Sequence, residues 1–219
     1  MNTAINNKKN FLLGTAEIIV ILLAGFVSGD VWYKILISVA GMAFNFLVSC
    51  GKRYGFIVGV CYAAAYAVMA YTENVYASAV FMLFIQLPMG IVSFTTWKSS
   101  QSGTVKMQKL SLKNQIAVLS AVAITQVLIY ILLNLINSSS AFFDSFFFAT
   151  SLISCILLAK KKKEAYIIIM LSGIAGTLLW LSQFITTGDG ISVLILNFFV
   201  LINSVKGLII QNKHKLTQE

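Results

Sequence analysis

The stretch from Phe84 to Lys98, FIQLPMGIVSFTTWK, decides which kind of fold this sequence forms. It is apolar enough to lie within a membrane, yet it contains Gln86 and, two residues later, Pro88, the only proline in a chain of 219 residues. A proline inside a helix removes one backbone donor and clashes with the preceding turn, so we expect a bend there. The stretch therefore predicts an interrupted membrane-spanning helix with a polar side chain at the interruption.

Composition indicates the same class for the whole chain. Hydrophobic residues make up 58% and charged residues 11%, whereas a soluble domain carries about 25% charged residues. The net charge of +9 would suit a nucleic-acid partner, but the basic residues form short clusters between apolar runs, which favours anionic lipid instead. The three isolated cysteines form no C-x-x-C pair, so we predict no metal site and no cofactor.

Eight apolar runs are long enough to cross a bilayer. They are residues 11–27, 31–50, 54–71, 75–97, 115–136, 141–159, 165–186 and 191–210. We expect the first run to be retained as a helix, because it lacks a signal-peptide cleavage site and Glu17 interrupts it. The sequence thus predicts an all-α polytopic membrane protein with about eight transmembrane helices.

Charges alternate between the two sets of connections. Basic residues flank one set: Lys8, Lys9, Lys52, Arg53, Lys98, Lys106, Lys109, Lys113, Lys160 to Lys163, Lys213 and Lys215. The other set carries Asp30, Glu73, Ser138 to Ser140 and Asp189, with Lys34 as its lone basic residue. The positive-inside rule then predicts that both termini are cytoplasmic.

Spans two to four and six to eight form two triplets that must run in the same direction. A shift of 111 positions places Lys52 on Lys163, Gln86 on Asn197 and Ser93 on Ser204. We therefore expect five units: a tail with an additional helix (1–30), a first repeat (31–97), a basic loop with a linking helix (98–140), a second repeat (141–210) and a tail (211–219). Parallel repeats joined in this way are a transporter plan, with substrate near the midplane between them.

Polar side chains within the spans are candidate substrate ligands, since such groups usually face the bundle interior. One face of span four carries Gln86, Gly90, Ser93 and Trp97 at helical spacing. The predicted substrate-binding residues are Gln86, Trp180, Asn197, Gln183, Tyr66, Tyr62, Asn203 and Ser93. The alternative is that these groups only join neighbouring helices, and Trp97 beside Lys98 is typical of an interfacial anchor.

Two acidic residues lie within the spans, Glu17 and Asp144, and neither is well placed to carry a coupling ion along a central path. We therefore expect a uniporter rather than a proton-coupled carrier. The sequence contains no H-E-x-x-H, G-x-S-x-G or Walker motif, so an enzyme is not expected.

Several short motifs carry a family resemblance through their order and spacing. They are Tyr76-Ala77-Ser78, Pro88-Met89, Trp97, Phe143-Asp144-Ser145, the basic cluster ending in Glu164, and Asn203-Ser204. Over residues 31–208 the chain resembles the PnuC-type vitamin transporters, which take up nicotinamide riboside.

The resemblance implies a SWEET-like fold of 3+1+3 helices, often oligomeric, in a bacterial inner membrane. It also implies facilitated diffusion of a vitamin that a cytoplasmic kinase then traps by phosphorylation. Where nicotinamide riboside carriers tend to have two tryptophans and an asparagine, this chain has Tyr166, Ile169 and Gly173. Thiamine, riboflavin and deoxynucleosides therefore remain alternative substrates, and a vitamin-binding subunit with an energising partner remains an alternative class.

Overall fold

The computed structural model describes residues 2–97, 107–136, 138 and 140–216, with side chains described from residue 12 to residue 211. The described part folds into eight helices. They are α1 (Asn2–Ser28), α2 (Trp32–Ser49), α3 (Gly55–Thr72), α4 (Tyr76–Thr96), α5 (Leu112–Leu135), α6 (Ala141–Ala159), α7 (Ala165–Thr187) and α8 (Ile191–Leu216). Helices α2 to α8 are each long and apolar enough to cross a membrane, while the described apolar part of α1, Leu12–Ser28, is shorter. The predicted all-α membrane fold is confirmed.

Part of the predicted charge pattern lies outside the described residues. This applies to Lys98, Lys106 and Ser139, and to the side chains of Lys8, Lys9, Lys213 and Lys215. Among the described residues, Lys52, Arg53 and Lys160 to Lys163 lie at one end of the bundle, which we call the basic end. Asp30, Glu73 and Asp189 lie at the other, which we call the acidic end.

Helix α4 is interrupted where the proline predicts it. Its first part, Tyr76–Phe81, and its last part, Leu87–Thr96, are α-helical, but Met82–Gln86 between them is π-helical. The amide of Leu87 donates to the carbonyl of Met82, five residues back rather than four. Because Pro88 has no N–H to offer to the carbonyl of the residue four positions earlier, the wider turn accommodates the missing bond.

Six of the helices form a closed ring. Going round it, α2 contacts α3, α3 contacts α4, α4 contacts α6, α6 contacts α7, α7 contacts α8, and α8 returns to α2. The first helix of each triplet therefore meets the third helix of the other triplet. Helix α1 covers the seam between α2 and α8, and the linking helix α5 lies on α6 and reaches α4 in the same manner. The additional N-terminal helix thus occupies the place that corresponds to the linking helix.

A carboxylate from the second triplet caps α4. Asp144, near the start of α6, accepts hydrogen bonds from the backbone amides of Ala77 (2.9 Å) and Ser78 (3.0 Å), and from the Ser78 hydroxyl. These amides belong to the first turn of α4, where no carbonyl of the helix itself can accept them. Asp144 therefore joins the two triplets.

Asp30, just before the first triplet, makes the corresponding contact with the last helix of the second triplet. It precedes α2 and accepts hydrogen bonds from the amides of Gly190 (2.9 Å), Ile191 (3.2 Å) and Ser192 (2.7 Å) at the start of α8. Burial alone would raise the pKa of Asp30, but hydrogen bonds from Ser192, Gly190 and Ile191 outweigh it and hold the pKa below its ordinary value. Asp30 is thus ionised when it caps α8.

The acidic end is tied together by one lysine. Lys34, the lone basic residue of the acidic connections, lies 2.6 Å from Glu73 and 2.7 Å from Asp189, and it is 1% exposed. Glu73 follows α3 of the first triplet and Asp189 follows α7 of the second. The ammonium of Lys34 therefore holds the connections of both triplets together.

Two aromatic side chains join the triplets at the basic end. Tyr166 of α7 donates its hydroxyl to the carbonyl of Val48 in α2 (3.0 Å), and Trp97 donates its indole N–H to the carbonyl of Leu158 in α6 (3.0 Å). Trp97 is fully buried. Its interpretation as an interfacial anchor is therefore wrong, because its ring packs edge-on against Phe56 inside the bundle and is not exposed at the protein surface.

Candidate functional site

A cavity of about 80 Å³ lies inside the ring, between the two triplets. All six ring helices contribute to its wall. The polar side chains that line it are Asn45, Gln86, Ser93, Ser151, Ser154, Ser172 and Asn197. Its aromatic lining consists of Phe44, Phe56, Tyr62, Phe81 and Phe147. A ring of helices thus encloses a small space that offers both amide and hydroxyl groups and flat apolar surfaces.

Four of the eight predicted site residues line this cavity: Gln86, Ser93, Asn197 and Tyr62. The first two are on α4, so the polar face of this helix is directed between the triplets. The other four, Tyr66, Trp180, Gln183 and Asn203, are buried outside the lining.

Gln86 is distinguished from the other cavity amides by its hydrogen bonding. Asn45 donates its amide to the carbonyl of Gly41 (2.9 Å), and Asn197 donates to the carbonyl of Val193 (2.8 Å), each within its own helix. Among the described residues Gln86 has no such partner. It is the last residue of the π-helical turn, and its donors and acceptor remain available to a ligand.

Asn197 owes its position to a glycine on the neighbouring helix. A Cβ placed on Gly176 of α7 would lie 2.7 Å from Cγ of Asn197 and closer still to Oδ1. Only a residue without a side chain lets the Asn197 amide lie against α7 in this way. The sequence predicted Asn197 as a ligand but did not reveal its contact with Gly176.

A series of aromatic residues extends from the cavity wall to its acidic side. The rings of Phe44, Tyr62, Tyr66 and Trp180 follow one another with centroid separations of 6.2, 5.4 and 6.1 Å. Trp180 donates its indole N–H to the hydroxyl of Tyr66 (2.7 Å), which joins α7 to α3. In this structure Tyr66 and Trp180, both predicted to bind substrate, contact each other.

Two further predicted residues are held at other contacts. Asn203 donates its amide to Glu17 of α1 (3.2 Å), so it faces the additional helix and not the cavity. Gln183 lies about one turn beyond Trp180, towards the acidic end, and its side chain is 6% exposed. Glu17 is itself buried, at 3% exposure.

Four polar residues that line the cavity were not predicted as ligands. They are Asn45 of α2, Ser151 and Ser154 of α6, and Ser172 of α7. For the two serines of α6, their spacing of three residues is the only signal in the sequence, and it is common in membrane helices.

The three positions that depart from the family pattern have separate surroundings. Ile169 lines the cavity, and Tyr166 forms the contact with Val48 described above. Gly173 permits close packing of α7 on α8, because a Cβ there would lie 3.0 Å from the backbone nitrogen of Leu201.

A closed ring of membrane-length helices, built from two parallel triplets around a central polar cavity, defines a membrane transporter. Comparison with known proteins agrees. The chain belongs to the nicotinamide mononucleotide transporter family, whose family model matches residues 31–213. Its fold is similar to that in the crystal structure of the vitamin B3 transporter PnuC, with a TM-score of 0.82 and 20% sequence identity, over 93% of this chain and 90% of that chain. A comparison with curated proteins found no match.

Proposed function

We propose that this protein is a uniporter that imports a nucleoside-like vitamin by facilitated diffusion, with nicotinamide riboside as its first candidate substrate. The observation that carries the proposal is the central cavity, in which the unpartnered Gln86 amide lies among aromatic rings and hydroxyl groups. A neutral amide and a hydroxyl-bearing sugar are the groups that such a lining can hydrogen-bond. The matched family is named after nicotinamide mononucleotide and the similar structure after vitamin B3, and both names support a ligand of this kind.

The size of the cavity supports a mechanism in which the site changes shape. Pockets that hold drug-sized ligands measure about 300 Å³ or more, while this one measures about 80 Å³. A nucleoside therefore requires that the helices separate. On the acidic side, Lys34 would have to separate from the acidic residues it joins, and Trp180 would have to separate from Tyr66. On the basic side, Tyr166 would have to separate from Val48.

The π-helical turn of α4 is a suitable place for such movement. It changes the register of backbone hydrogen bonds directly beside Gln86, and π-turns occur frequently at functional sites. Rotation of this turn would reorient the Gln86 amide while the ends of α4 keep their contacts with α6.

The positions of the intramembrane acids favour uniport. Asp144 is occupied as the cap of α4, and Glu17 contacts Asn203 at the seam with α1. Neither residue lines the cavity. Because no carboxylate is among the described residues that line the cavity, the substrate's own gradient would drive transport, and phosphorylation by a cytoplasmic kinase would retain the product. The chain would then be a carrier, possessing no catalytic activity of its own.

We place the protein in a bacterial cytoplasmic membrane, with the acidic end outside and both termini in the cytoplasm, on the basis of the positive-inside rule. Assembly into a homo-oligomer is part of the same proposal.

The decisive test is uptake by the purified protein in liposomes. Labelled nicotinamide riboside should equilibrate without an ion gradient, remain unaffected by a protonophore, and accumulate only when a riboside kinase and ATP are enclosed. Thiamine, riboflavin and deoxynucleosides are tested as competitors. Stronger competition by one of them would replace nicotinamide riboside as the substrate. Absence of uptake without a second protein would favour a binding subunit, and conversion of the substrate would indicate an enzyme.

The same assay tests the proposed ligands. Gln86→Ala should reduce the apparent affinity about tenfold, the effect expected for the loss of one or two hydrogen bonds. Trp180→Ala should also impair uptake, because it removes the ring that bonds Tyr66 on the acidic side. If both variants transport as the wild type does, the site is wrong.

A further inference from the structure

Two serine hydroxyls in the cavity wall are bonded to each other across two helices. Ser151 of α6 and Ser172 of α7 place their Oγ atoms 2.7 Å apart, and both residues line the cavity. Both are 6% exposed. Neither hydroxyl is among the substrate ligands proposed above.

The pair differs from other hydroxyls in the same helices. Thr150, Ser154 and Thr177 donate to backbone carbonyls three or four residues earlier, at 2.7 to 2.9 Å. Such bonds are the usual way in which a helix satisfies a buried hydroxyl. Within the described part of the chain, Ser151 and Ser172 form no bond of this kind with their side chains.

The pair therefore retains unused hydrogen-bonding capacity. A hydroxyl has one proton and two lone pairs. When one hydroxyl donates to the other, the pair keeps one free proton and three free lone pairs. No other described side chain is hydrogen-bonded to these groups, and both residues line the cavity. The pair can therefore both donate to and accept from a ligand.

A vicinal diol is the ligand group that matches this pattern, because its adjacent hydroxyls also donate and accept side by side. A carboxamide is better matched by Gln86, an amide on the other triplet. Ser151 and Gln86 each lie ten residues into helices that start at the acidic end, at a depth of about 15 Å. The two polar groups thus lie at the same level of the membrane.

We propose that Ser151 and Ser172 form a subsite for the 2′,3′-diol of a ribose, and that they select ribosides over deoxyribosides and over vitamins without a sugar. The inference rests on the proposed function, and it assigns to the second triplet the recognition of the sugar. The Gln86 side of the cavity would contact the base.

Binding to the purified protein in detergent tests this assignment by calorimetry, with nicotinamide riboside and its 2′-deoxy analogue as probes. The wild type should bind the riboside about tenfold more tightly than the deoxy analogue. In the Ser151→Ala/Ser172→Ala variant this preference should fall below about twofold, chiefly through weaker binding of the riboside. Each single variant should lose part of the preference. The single variants provide the test if the double variant does not fold.

Thr150→Val is the matched control. It removes a hydroxyl next to Ser151 on α6, but Thr150 does not line the cavity and its proton is committed to the carbonyl of Phe146. Its preference for the riboside should equal that of the wild type. A tenfold preference that survives in the double variant overturns the diol subsite and leaves the proposed function intact. Failure of the wild type to bind any riboside overturns both.

Discussion

Replacing Gly176 with alanine would displace the Asn197 amide from the cavity wall. The new Cβ would lie 2.7 Å from Cγ of Asn197, where ordinary contacts begin at 3.4 Å, so the amide must retreat by at least about 0.7 Å. That movement acts against the 2.8 Å bond from Asn197 to the carbonyl of Val193. We expect a stability loss of about 1–3 kcal/mol, the usual cost of overpacking, and roughly tenfold weaker substrate binding.

The assay is substrate binding to purified variants, together with thermal unfolding to confirm that each variant folds. Gly90→Ala is the control, because Gly90 also lies at the cavity but a Cβ there comes no closer than 3.0 Å to Cγ2 of Val60 and 3.7 Å to the carbonyl oxygen of Phe56. This variant should bind substrate nearly as the wild type does. The double variant Gly176→Ala/Asn197→Ala should bind no more weakly than Asn197→Ala alone, since the methyl group then has no amide to displace.

Two results would refute this reasoning. Wild-type affinity in Gly176→Ala would show that the position of the Asn197 amide does not matter for binding. Strictly additive losses in the double variant would show that Gly176 acts through another contact, such as that of the new Cβ with Cδ2 of Phe147 on α6 at 3.1 Å, and not through Asn197.

Three further perturbations have defined outcomes. Lys34→Met should lower the stability by about 2 kcal/mol in thermal unfolding, because Glu73 and Asp189 would lose their shared cation at the acidic end; unchanged unfolding would contradict this. Pro88→Ala restores an amide donor, so the π-helical turn should shorten to α-helix and the uptake rate should fall several-fold; wild-type kinetics would make the turn a packing feature only. Because hydrogen bonds lower the pKa of Asp30 in the folded state, its contribution to stability should be complete above about pH 5 and be lost as the pH falls further. Asp30→Asn should abolish this loss in unfolding measured against pH.

The sequence predicted the helices well because their signal is local. The expected spans 31–50 and 54–71 match Trp32–Ser49 and Gly55–Thr72 closely, and the interruption at Pro88 is present as a π-turn. Apolar length and charge alternation are properties of consecutive residues, so no knowledge of neighbours is required.

The contacts between helices were much harder to predict. Helical spacing assigned Trp97 and Asn203 to polar or interfacial faces, but it could not state that Trp97 bonds Leu158 or that Asn203 faces Glu17. A helix has neighbours on several sides. Periodicity shows which residues share a face, but it does not show which neighbouring helix that face contacts. The Ser151–Ser172 pair is invisible for the same reason, since its two members are 21 residues apart on different helices.

The crossed positions of Asp30 and Asp144 make the two triplets dependent on each other. A lone first triplet would leave the amides of Ala77 and Ser78, in the first turn of α4, without the carboxylate that accepts their hydrogen bonds. During synthesis α4 is inserted before Asp144 exists, so its first turn is completed only when α6 arrives. A single-triplet ancestor would have met the same requirement only as a twofold dimer in which each copy lent its carboxylate to the other.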